Sequence, residues 1–374
     1  MLKPIYVTEP FLPPLDELSP LLEKIWGSKQ ITNNGPYAQE FERKLEEYLG
    51  VEHVTLVANG TLGLIAALQA LEIEGEVITT PYSFVATSNA IDWNKCQPVF
   101  VDIEKDSFNL DPAKIEAAIT DNTRAIMPVH VYGRSCNVDA IKKIADKHNL
   151  KIIYDAAHAF GVFDQGKSLI RHGDVSVVSM HATKVMNTFE GGFVVSKDKK
   201  IKERLEHLRN FGFVNQTTVV APGINCKMNE FQSAVGIVQL NYIDDCIHKR
   251  HVIDMRYRQA LAAIDGLLVP ELSLSDVTYN YCYFPVLVED DFSLTRDQLH
   301  EGLKLSNVFS RRYFYPLISD FPMFNTLNSA SKKNLPNATR ISNKILCLPI
   351  YPDLTEEDQG RVISAIIKLS KSSR

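Results

Sequence analysis

Between residues 53 and 196, short runs of apolar and β-branched residues alternate with longer segments of helical periodicity. This alternation predicts a mainly parallel sheet covered by helices on both faces, because parallel neighbours need crossover connections. Seven strands are predicted, at 53–57, 76–79, 98–102, 124–130, 151–154, 175–179 and 192–196. About a dozen residues without a long helical pattern join the last two strands, so one of them is expected to run antiparallel.

The pattern changes after residue 197, where helical periodicity becomes dominant. Helices are predicted near 61–71, 84–93, 111–119, 137–148, 198–210, 229–265, 295–305 and 355–371, with a further strand near 282–288. A chain of 374 residues fits two domains at about 150 residues each. We therefore expect a large α/β domain over 1–245 and a smaller α+β domain over 246–374, with a long helix across the division.

Composition excludes several classes of protein. The chain carries 45 acidic and 40 basic residues, a net charge of −5, which argues against nucleic acid as a partner. No apolar run reaches the length of a membrane-spanning helix, and the prolines and acid of the first ten residues leave no room for a signal peptide. A cytoplasmic location is therefore expected. The six cysteines form no C-x-x-C pair, so we expect reduced, buried thiols and no metal site.

Polar residues follow three of the predicted strands. The segment 59–61 (NGT) follows the first strand and opens a helix, where free N–H groups and the helix dipole favour an anion. Asp155 follows the fifth strand, and the segment 179–184 (SMHATK) follows the sixth. The carboxyl ends of strands are the edge at which open α/β sheets bind ligands. An anion site, a carboxylate and an amine are therefore expected at one edge.

These three groups suit pyridoxal 5'-phosphate (PLP). Its phosphate needs an anion site, its pyridine nitrogen needs a carboxylate to stay protonated, and its aldehyde needs a lysine. Each group also has a simpler interpretation on its own: 59–61 as a helix cap, Asp155 as a turn residue and Lys184 as a solvated lysine. Their order after successive strands favours the joint interpretation.

The sequence also resembles the DegT/StrS family of PLP-dependent sugar aminotransferases, of the aspartate aminotransferase (fold type I) superfamily. The resemblance runs from about residue 32 to the C-terminus. It is carried by TNNGPYAQEFE (32–42), ANGTLGL (58–64), TTPYSFVATSNAI (79–91), YDAAHAFG (154–161), SMHATKVMNTFEGGFVVSKD (179–198) and GINCKMNEFQSAVG (223–236). Within the family, HATKVMNTFEGG (181–192) and PIYVTEPFLPPL (4–15) look closest to nucleotide-sugar 4-aminotransferases of the viosamine type.

The resemblance implies a role for each matching residue. Lys184 occupies the position of the lysine that binds the cofactor aldehyde, and Asp155 that of the carboxylate paired with the pyridine N–H. The further cofactor contacts that it implies are Gly60, Thr61 and Ser179 at the phosphate, His158 at the ring hydroxyl, Phe84 on the ring face and Asn225 at the neighbouring subunit's phosphate. The role of Asn225 implies a homodimer with shared sites. Phe84 could instead be a buried helix residue, and Asn225 a turn residue.

The same resemblance implies the reaction. Glutamate would donate the amino group to C4 of a nucleotide-linked 4-keto-6-deoxyhexose, of the dTDP-4-keto-6-deoxyglucose type, in deoxysugar biosynthesis. A dehydratase branch of the family carries histidine at the lysine position, so Lys184 favours transamination. The expected substrate contacts are Asn33, Gly35, His181, Arg312, Tyr313 and Tyr315, of which the last three could instead belong to a solvated loop.

Three alternatives stay open from the residues alone. A 3-aminotransferase would act on a related keto sugar. A regulatory protein could keep the fold without turnover, although intact Lys184 and Asp155 count against that. A nicotinamide oxidoreductase is disfavoured, because no G-x-G-x-x-G follows a predicted strand.

Overall fold

The computed structural model describes residues 3–272 and 276–371. Within these ranges the strands are β1 (Ile5–Tyr6), β2 (Val54–Val57), β3 (Glu76–Thr79), β4 (Gln97–Phe100), β5 (Thr123–Met127), β6 (Lys151–Asp155), β7 (Phe163–Asp164), β8 (Lys167–Ser168), β9 (Val175–Ser179), β10 (Gly192–Ser196), β11 (Leu267–Leu268), β12 (Val277–Thr278), β13 (Phe284–Val288), β14 (Val308–Phe309) and β15 (Ile345–Leu348). The first, larger half of the molecule is built on seven of these strands.

The α-helices in the same ranges are α1 (Leu15–Ser28), α2 (Pro36–Leu49), α3 (Gly60–Ala70), α4 (Ala86–Trp93), α5 (Pro112–Ile115), α6 (Val138–His148), α7 (Lys199–Leu208), α8 (Glu230–Leu240), α9 (Ile243–Leu261), α10 (Arg296–Leu305), α11 (Pro336–Lys344) and α12 (Glu356–Ser370). Short 3₁₀ turns occur at Glu116–Ala118, Val131–Gly133, Leu169–Arg171, Ile318–Asp320 and Asn328–Ala330. No helix of the described ranges is both long enough and apolar enough to cross a bilayer.

The central sheet has the strand order β2-β10-β9-β6-β5-β3-β4. Strand β10 runs antiparallel to both of its neighbours, β2 and β9, whereas the other neighbouring strands are parallel. The predicted seven-stranded, mainly parallel sheet is therefore confirmed, including the antiparallel strand near its end. Since the connection between β9 and β10 has no crossover helix, the chain returns directly alongside β9.

Both faces of this sheet are buried. Successive side chains of a strand point to opposite faces, and here they enter two separate hydrophobic cores. Ile152 and Val178 lie in the core under α2 and α6, whereas their neighbours Ile153 and Val177 lie in the core under α3 and α7. This two-sided burial explains why most of the strands appear in the sequence as short apolar and β-branched runs and not as alternating polar and apolar residues.

The second half of the chain forms smaller sheets covered by helices. Strands β11, β13 and β15 form an antiparallel three-stranded sheet. The N-terminal strand β1 pairs in parallel with β14, and Ile5 is buried in the core of this second half. Helix α9 crosses residue 245, as expected. The division into 1–245 and 246–374 stays a prediction, with the first residues of the chain packed against the second part.

Two predicted helices differ from the structure. The segment 229–265 forms two helices, α8 and α9, because the end of α8 tightens into short-range bonds from Asn241 N–H to Val238 O (3.1 Å) and from Tyr242 N–H to Gln239 O (3.0 Å). The segment 111–119 forms only one turn of α-helix before a 3₁₀ turn. All six cysteines are free thiols and buried.

Gly236 allows the close contact between α8 and α2, and its replacement gives a test of this packing. A Cβ atom at Gly236 would lie 2.2 Å from Cζ of the fully buried Phe41. Gly236→Ala is therefore expected to lower the free energy of unfolding by about 1–3 kcal/mol through overpacking, despite the better helix propensity of alanine.

Gly360 provides the matched control, because it lies inside α12 with no atom within 4 Å of the position of a Cβ. Gly360→Ala is expected to raise the free energy of unfolding by up to about 1 kcal/mol. Denaturant unfolding at one fixed protein concentration measures both variants. Destabilisation by neither substitution, or by both equally, would contradict the packing described for α8.

Candidate active site

The N-terminus of α3 offers backbone N–H groups at the carboxyl end of β2. The first N–H groups of a helix have no partner within it. The side chain of Asn59 caps the helix by accepting from Leu62 N–H (2.9 Å), so the N–H groups of Gly60 and Thr61 remain for a ligand. Thr61 is exposed. The simpler interpretation of Asn59 as a helix cap is therefore correct, and it leaves the predicted anion site in place.

Close packing brings this helix end against the two adjoining strands. A Cβ atom at Gly60 would lie 3.0 Å from Cβ of Ser179, the last residue of β9. A Cβ atom at Gly192, the first residue of β10, would lie 2.8 Å from both Gly60 N and Val178 O. The structure therefore brings together Gly60 and Ser179, two residues that the family resemblance assigns to one phosphate site.

Asp155 ends β6 with a buried and hydrogen-bonded side chain. The residue is 5% exposed, its Oδ2 accepts from Thr87 Oγ1 (2.7 Å), and its Oδ1 accepts from Ala157 N–H (3.1 Å). Burial raises the pKa of Asp155 above its usual value, whereas the bonds from Thr87 and Ala157 and the charge of Lys184 oppose that rise. Asp155 therefore makes the bond to Ala157 N–H that is typical of a turn aspartate and, in addition, accepts from a buried side-chain donor, Thr87.

Lys184 lies in the loop between β9 and β10, with its N–H bonded to His181 O (2.9 Å). The residue as a whole is half-buried. Burial lowers the pKa of the Lys184 amine, and Cys282 and Asp155 act in the opposite direction. Lys184 is therefore no freely solvated lysine.

A small cavity adjoins Lys184 and Ser179. Its lining combines residues from the ends of β6 and β9, the Lys184 loop and the segment before β13: Ala157, His158, Phe160, Ser179, Thr183, Lys184, Val185, Asn280, Cys282 and Tyr283. Three of the predicted site residues, His158, Ser179 and Lys184, thus share one cavity. Cys282 and Tyr283 are parts of it that the sequence did not indicate.

His158 is a buried, neutral imidazole. Its Nδ1 accepts from Tyr132 N–H (3.3 Å), which leaves the proton on Nε2. Burial, together with the charge of Lys184, lowers the pKa of His158 well below its usual value. Its ring stacks on Phe314 with centroids 6.0 Å apart and meets the edge of Tyr283 at 5.0 Å. His158 can therefore act as a fixed N–H donor.

Asn280 fixes the turn that carries His158. Its Nδ2 donates to His158 O (2.7 Å) and Phe160 O (2.8 Å), and its Oδ1 accepts from Cys282 N–H (3.1 Å). Its amide thus ties the segment after β6 to the segment before β13. No local sequence pattern identifies this residue, since the two carbonyls to which it donates, those of His158 and Phe160, are more than a hundred positions away.

Phe84 and Thr87 come from one turn at the start of α4. Phe84 is 59% exposed, which rules out its alternative interpretation as a buried helix residue. Thr87 is fully buried against Asp155 and was not identified from the sequence. The sequence does contain a signal for Thr87. This residue lies three residues after Phe84, about one helical turn, within the segment 79–91 that carries the resemblance.

Gly35 and its neighbours have a structural function of their own. Gly35 caps the N-terminus of α2, where the carboxylate of Glu230 accepts from Tyr37 N–H (2.9 Å) and Ala38 N–H (3.0 Å). A Cβ atom at Gly35 would lie 2.6 Å from the Glu230 carboxyl carbon. Asn33 is exposed, with a left-handed backbone (φ 64°). The substrate contacts assigned to Asn33 and Gly35 stay predictions.

His181 stands on the same loop as Lys184. Its N–H donates to Ser179 Oγ (3.4 Å), and its Nδ1 accepts from Thr183 N–H (3.2 Å). Its Nε2 lies 3.7 Å from a carboxylate oxygen of Glu190. The loop thus holds His181 at the same sheet edge as Ser179 and Lys184.

The structure divides the predicted basic-aromatic cluster into two parts. Tyr313 belongs to the aromatic layer beside His158: its carbonyl accepts from the hydroxyls of Tyr82 and Tyr132, and its ring lies 5.7 Å from Tyr283. The other part faces α10. Arg312 donates to Asp297 Oδ1 (2.9 Å), and its guanidinium lies 5.3 Å from the Tyr315 ring centroid. Arg312 and Tyr315 are therefore held against α10.

Asn225 lies in an exposed segment between α7 and α8. Its backbone pairs with Asn210 through an isolated bridge. Exposed apolar side chains precede it in the sequence, at Phe211, Phe213, Val214, Val219, Val220 and Ile224. Such a group is larger than the single apolar residues that surfaces commonly expose, and it is typical of a protein interface.

Comparison with known proteins matches residues 16–367 to the DegT/DnrJ/EryC1/StrS aminotransferase family. The chain is 54% identical to the dTDP-4-amino-4,6-dideoxy-D-glucose transaminase of Escherichia coli, over 95% of this chain and 96% of that protein. It is 51% identical to the transaminase of the same name from Shigella dysenteriae, over 98% of this chain and 99% of that protein.

Solved structures match over almost the full chain. The structure of DesI in the presence of its TDP-sugar product has a TM-score of 0.94 at 33% identity, covering 99% of this chain and 94% of that one. The structure of NtdA from Bacillus subtilis with bound cofactor PMP has a TM-score of 0.88 at 28% identity, covering 96% of this chain and 82% of that one. These similarities confirm the predicted fold type I architecture.

Proposed function

Because the chain belongs to the DegT/DnrJ/EryC1/StrS aminotransferase family, we propose that it transfers the amino group of glutamate to C4 of dTDP-4-keto-6-deoxyglucose. The observation that carries the chemistry is the electrostatic interaction of the Lys184 amine with the buried Asp155 carboxylate, at the sheet edge where Ser179 lies against the N-terminus of α3. Similarity to transaminases named for dTDP-4-amino-4,6-dideoxy-D-glucose supports the sugar and the position C4.

The proposed cofactor is PLP, and the residues at the sheet edge fit it. The N–H groups of Gly60 and Thr61 and the hydroxyl of Ser179 would hold the phosphate, in a cradle that a side chain at position 60 would fill. Lys184 would bind the aldehyde. When bound, PLP supplies a carbonyl that takes up and releases amino groups and a protonated ring that serves as an electron sink.

Three side chains would orient the ring. Asp155 would accept from the pyridine N–H, since the donors Thr87 and Ala157 oppose the protonation that burial favours. His158 would donate its Nε2 proton to the ring hydroxyl, because its Nδ1 is already an acceptor. Phe84, with its exposed ring, would stack on one face.

Lys184 would also transfer a proton between the substrate carbons and its own amine during the reaction. Its lowered pKa increases the fraction of free amine at neutral pH, and a general base works best when its pKa lies near the working pH. The free amine would take the proton from the α-carbon of glutamate and return a proton at C4 of the sugar. Asp155 would stabilise the charge that develops meanwhile.

The sugar nucleotide would bind on the open side of the cavity. We assign contacts there to Asn33, Gly35, His181, Arg312, Tyr313 and Tyr315. Tyr313 and His181 are placed next to the cavity by their contacts with Tyr283 and Ser179. Arg312 and Tyr315 lie farther along the chain surface, where a guanidinium stacked on an aromatic ring suits a base or a pyrophosphate.

The proposed active unit is a homodimer with shared sites, located in the cytoplasm. Asn225 would reach the phosphate of the partner's cofactor. Its exposure and the apolar side chains that precede it, Phe211 and Ile224 among them, support a role at a subunit interface.

The cofactor and the donor are tested together by absorbance. Protein saturated with PLP is expected to absorb visible light, and glutamate is expected to bleach this absorbance. Lys184→Ala should abolish both, whereas Lys249→Ala, at a surface lysine paired with Asp245, should change neither. A wild-type protein that binds no PLP, or a Lys184→Ala variant that still responds to glutamate, would contradict the proposal.

The substrate is tested by product analysis. With glutamate, dTDP-4-keto-6-deoxyglucose is expected to give the 4-amino-4,6-dideoxyglucose nucleotide and 2-oxoglutarate. The free keto sugar should be a very poor substrate, because binding energy from the nucleotide orients the distant carbonyl. NMR locates the new amino group. An amino group at C3 would assign the chain to the 3-aminotransferases, and no turnover with any nucleotide keto sugar would exclude a sugar substrate.

Shared sites are tested by mixing two inactive chains. After subunit exchange, Lys184→Ala with Asn225→Ala should restore about one quarter of the wild-type activity, because about half of the dimers are hybrids with one complete site. A mixture of Lys184→Ala with Asp155→Asn should restore none, since both residues would belong to the same chain's site. Equal results from the two mixtures, with exchange confirmed by differently tagged chains, would refute the sharing.

A further inference from the structure

The hydroxyl of Thr87 joins two parts of the site. Thr87 lies in the first turn of α4 and is fully buried. Its Oγ1 lies 2.7 Å from Asp155 Oδ2, 2.8 Å from Ser83 Oγ and 3.1 Å from Phe84 O. One hydroxyl therefore contacts the carboxylate proposed to face the ring nitrogen and the backbone of the residue proposed to cover the ring face.

A hydroxyl has a single proton, so these contacts cannot all be donations by Thr87. When Asp155 is ionised, it can only accept, so Thr87 donates to Asp155 and accepts from Ser83. When Asp155 is protonated, its own proton can be donated to Thr87, and the Thr87 proton can turn to Phe84 O. The direction of the chain from Ser83 to Asp155 therefore depends on the charge of Asp155.

We propose that Thr87, supported by Ser83, is a positioning residue that keeps Asp155 ionised and oriented toward the ring nitrogen of the bound cofactor. This inference rests on the proposed function, since it assigns Asp155 to that nitrogen. Hydrogen bonds to a charged acceptor are stronger than those between neutral groups, and successive bonds in one chain reinforce each other.

The surroundings of Asp155 contain few other groups that could perform this task. Its second oxygen accepts from Ala157 N–H, and Lys184, from the loop after β9, favours its ionised form. The neighbouring His158 and His130 are both buried, which keeps their pKa values low and their rings neutral, at about 3 for His130. Without the Thr87 hydroxyl, Oδ2 loses the one side-chain donor that it has in the described part of the chain.

Thr87→Val tests the inference, because valine keeps the shape and removes the hydroxyl. The measurement is the affinity of the apoprotein for PLP as a function of pH. Asp155 binds the ring N–H only when ionised, so affinity falls as pH drops through the pKa of Asp155. In Thr87→Val the pKa of Asp155 should be higher. The loss of PLP affinity at acidic pH should therefore set in about one to two pH units higher than in the wild-type protein. At neutral pH, kcat should fall about 10-fold or more, with a smaller change in KM.

Two controls separate the hydroxyl from packing. Thr87→Ser keeps the donor and should retain the wild-type profile. Ser88→Ala removes a neighbouring buried hydroxyl for which the described residues provide no hydrogen-bond partner, and it should also leave the profile unchanged. If Thr87→Val does not fold, Ser83→Ala removes the supporting donor and should shift the pH at which PLP affinity is lost by a smaller amount.

A wild-type profile in a folded Thr87→Val variant would overturn the inference, as would an equal shift in Thr87→Ser. Either result would leave the proposed function intact, provided that the wild-type protein binds PLP and is bleached by glutamate. Failure of the wild-type protein in those two assays would instead refute the proposed function itself.

Discussion

The buried carboxylate of Asp155 is the constraint on which the arrangement of the site depends. An isolated buried charge is strongly unfavourable, so a carboxylate in this position needs hydrogen-bond donors and a nearby cation. The chain supplies Thr87 from α4, Ala157 from the following turn and Lys184 from the loop after β9. These requirements tie together three elements that are distant in sequence and place them at the carboxyl edge of one sheet.

Burial acts on the two principal groups in complementary ways. It raises the pKa of Asp155 and lowers the pKa of Lys184, so it disfavours the charged form of both. A cationic ring nitrogen next to Asp155 would compensate its charge, and a free amine at Lys184 is the form that attacks an aldehyde. The buried surroundings that disfavour the charged forms of Asp155 and Lys184 therefore suit these two residues to binding a cofactor such as PLP.

Much of the fold could be predicted because the central sheet is buried on both faces. Its strands are short and rich in apolar and β-branched residues, and the carboxyl ends of these runs mark the edge that carries Gly60, Ser179 and Asp155. It could also be predicted that one of the last two strands runs antiparallel, since the connection between them is too short for a crossover helix, but the structure was needed to identify that strand as β10.

The contacts that complete the site could not be predicted in this way. Asn280 and Tyr283 reach the cavity from a segment more than a hundred residues after His158, and only tertiary packing brings them there. Arg312 and Tyr313 are adjacent in sequence but face different neighbours, α10 and the aromatic layer beside His158. The close approach of Gly35 to Glu230 likewise depends on the packing of α2 against α8, which no local pattern encodes.

The proposed function requires that Lys184 binds the cofactor covalently. Reduction of the PLP-saturated wild-type protein with borohydride, followed by digestion and peptide mapping by mass spectrometry, tests this requirement. We predict one pyridoxyl group per chain, attached to Lys184 in the peptide between β9 and β10. A pyridoxyl group on another lysine, or a protein that remains unmodified after reduction, would contradict the proposed function.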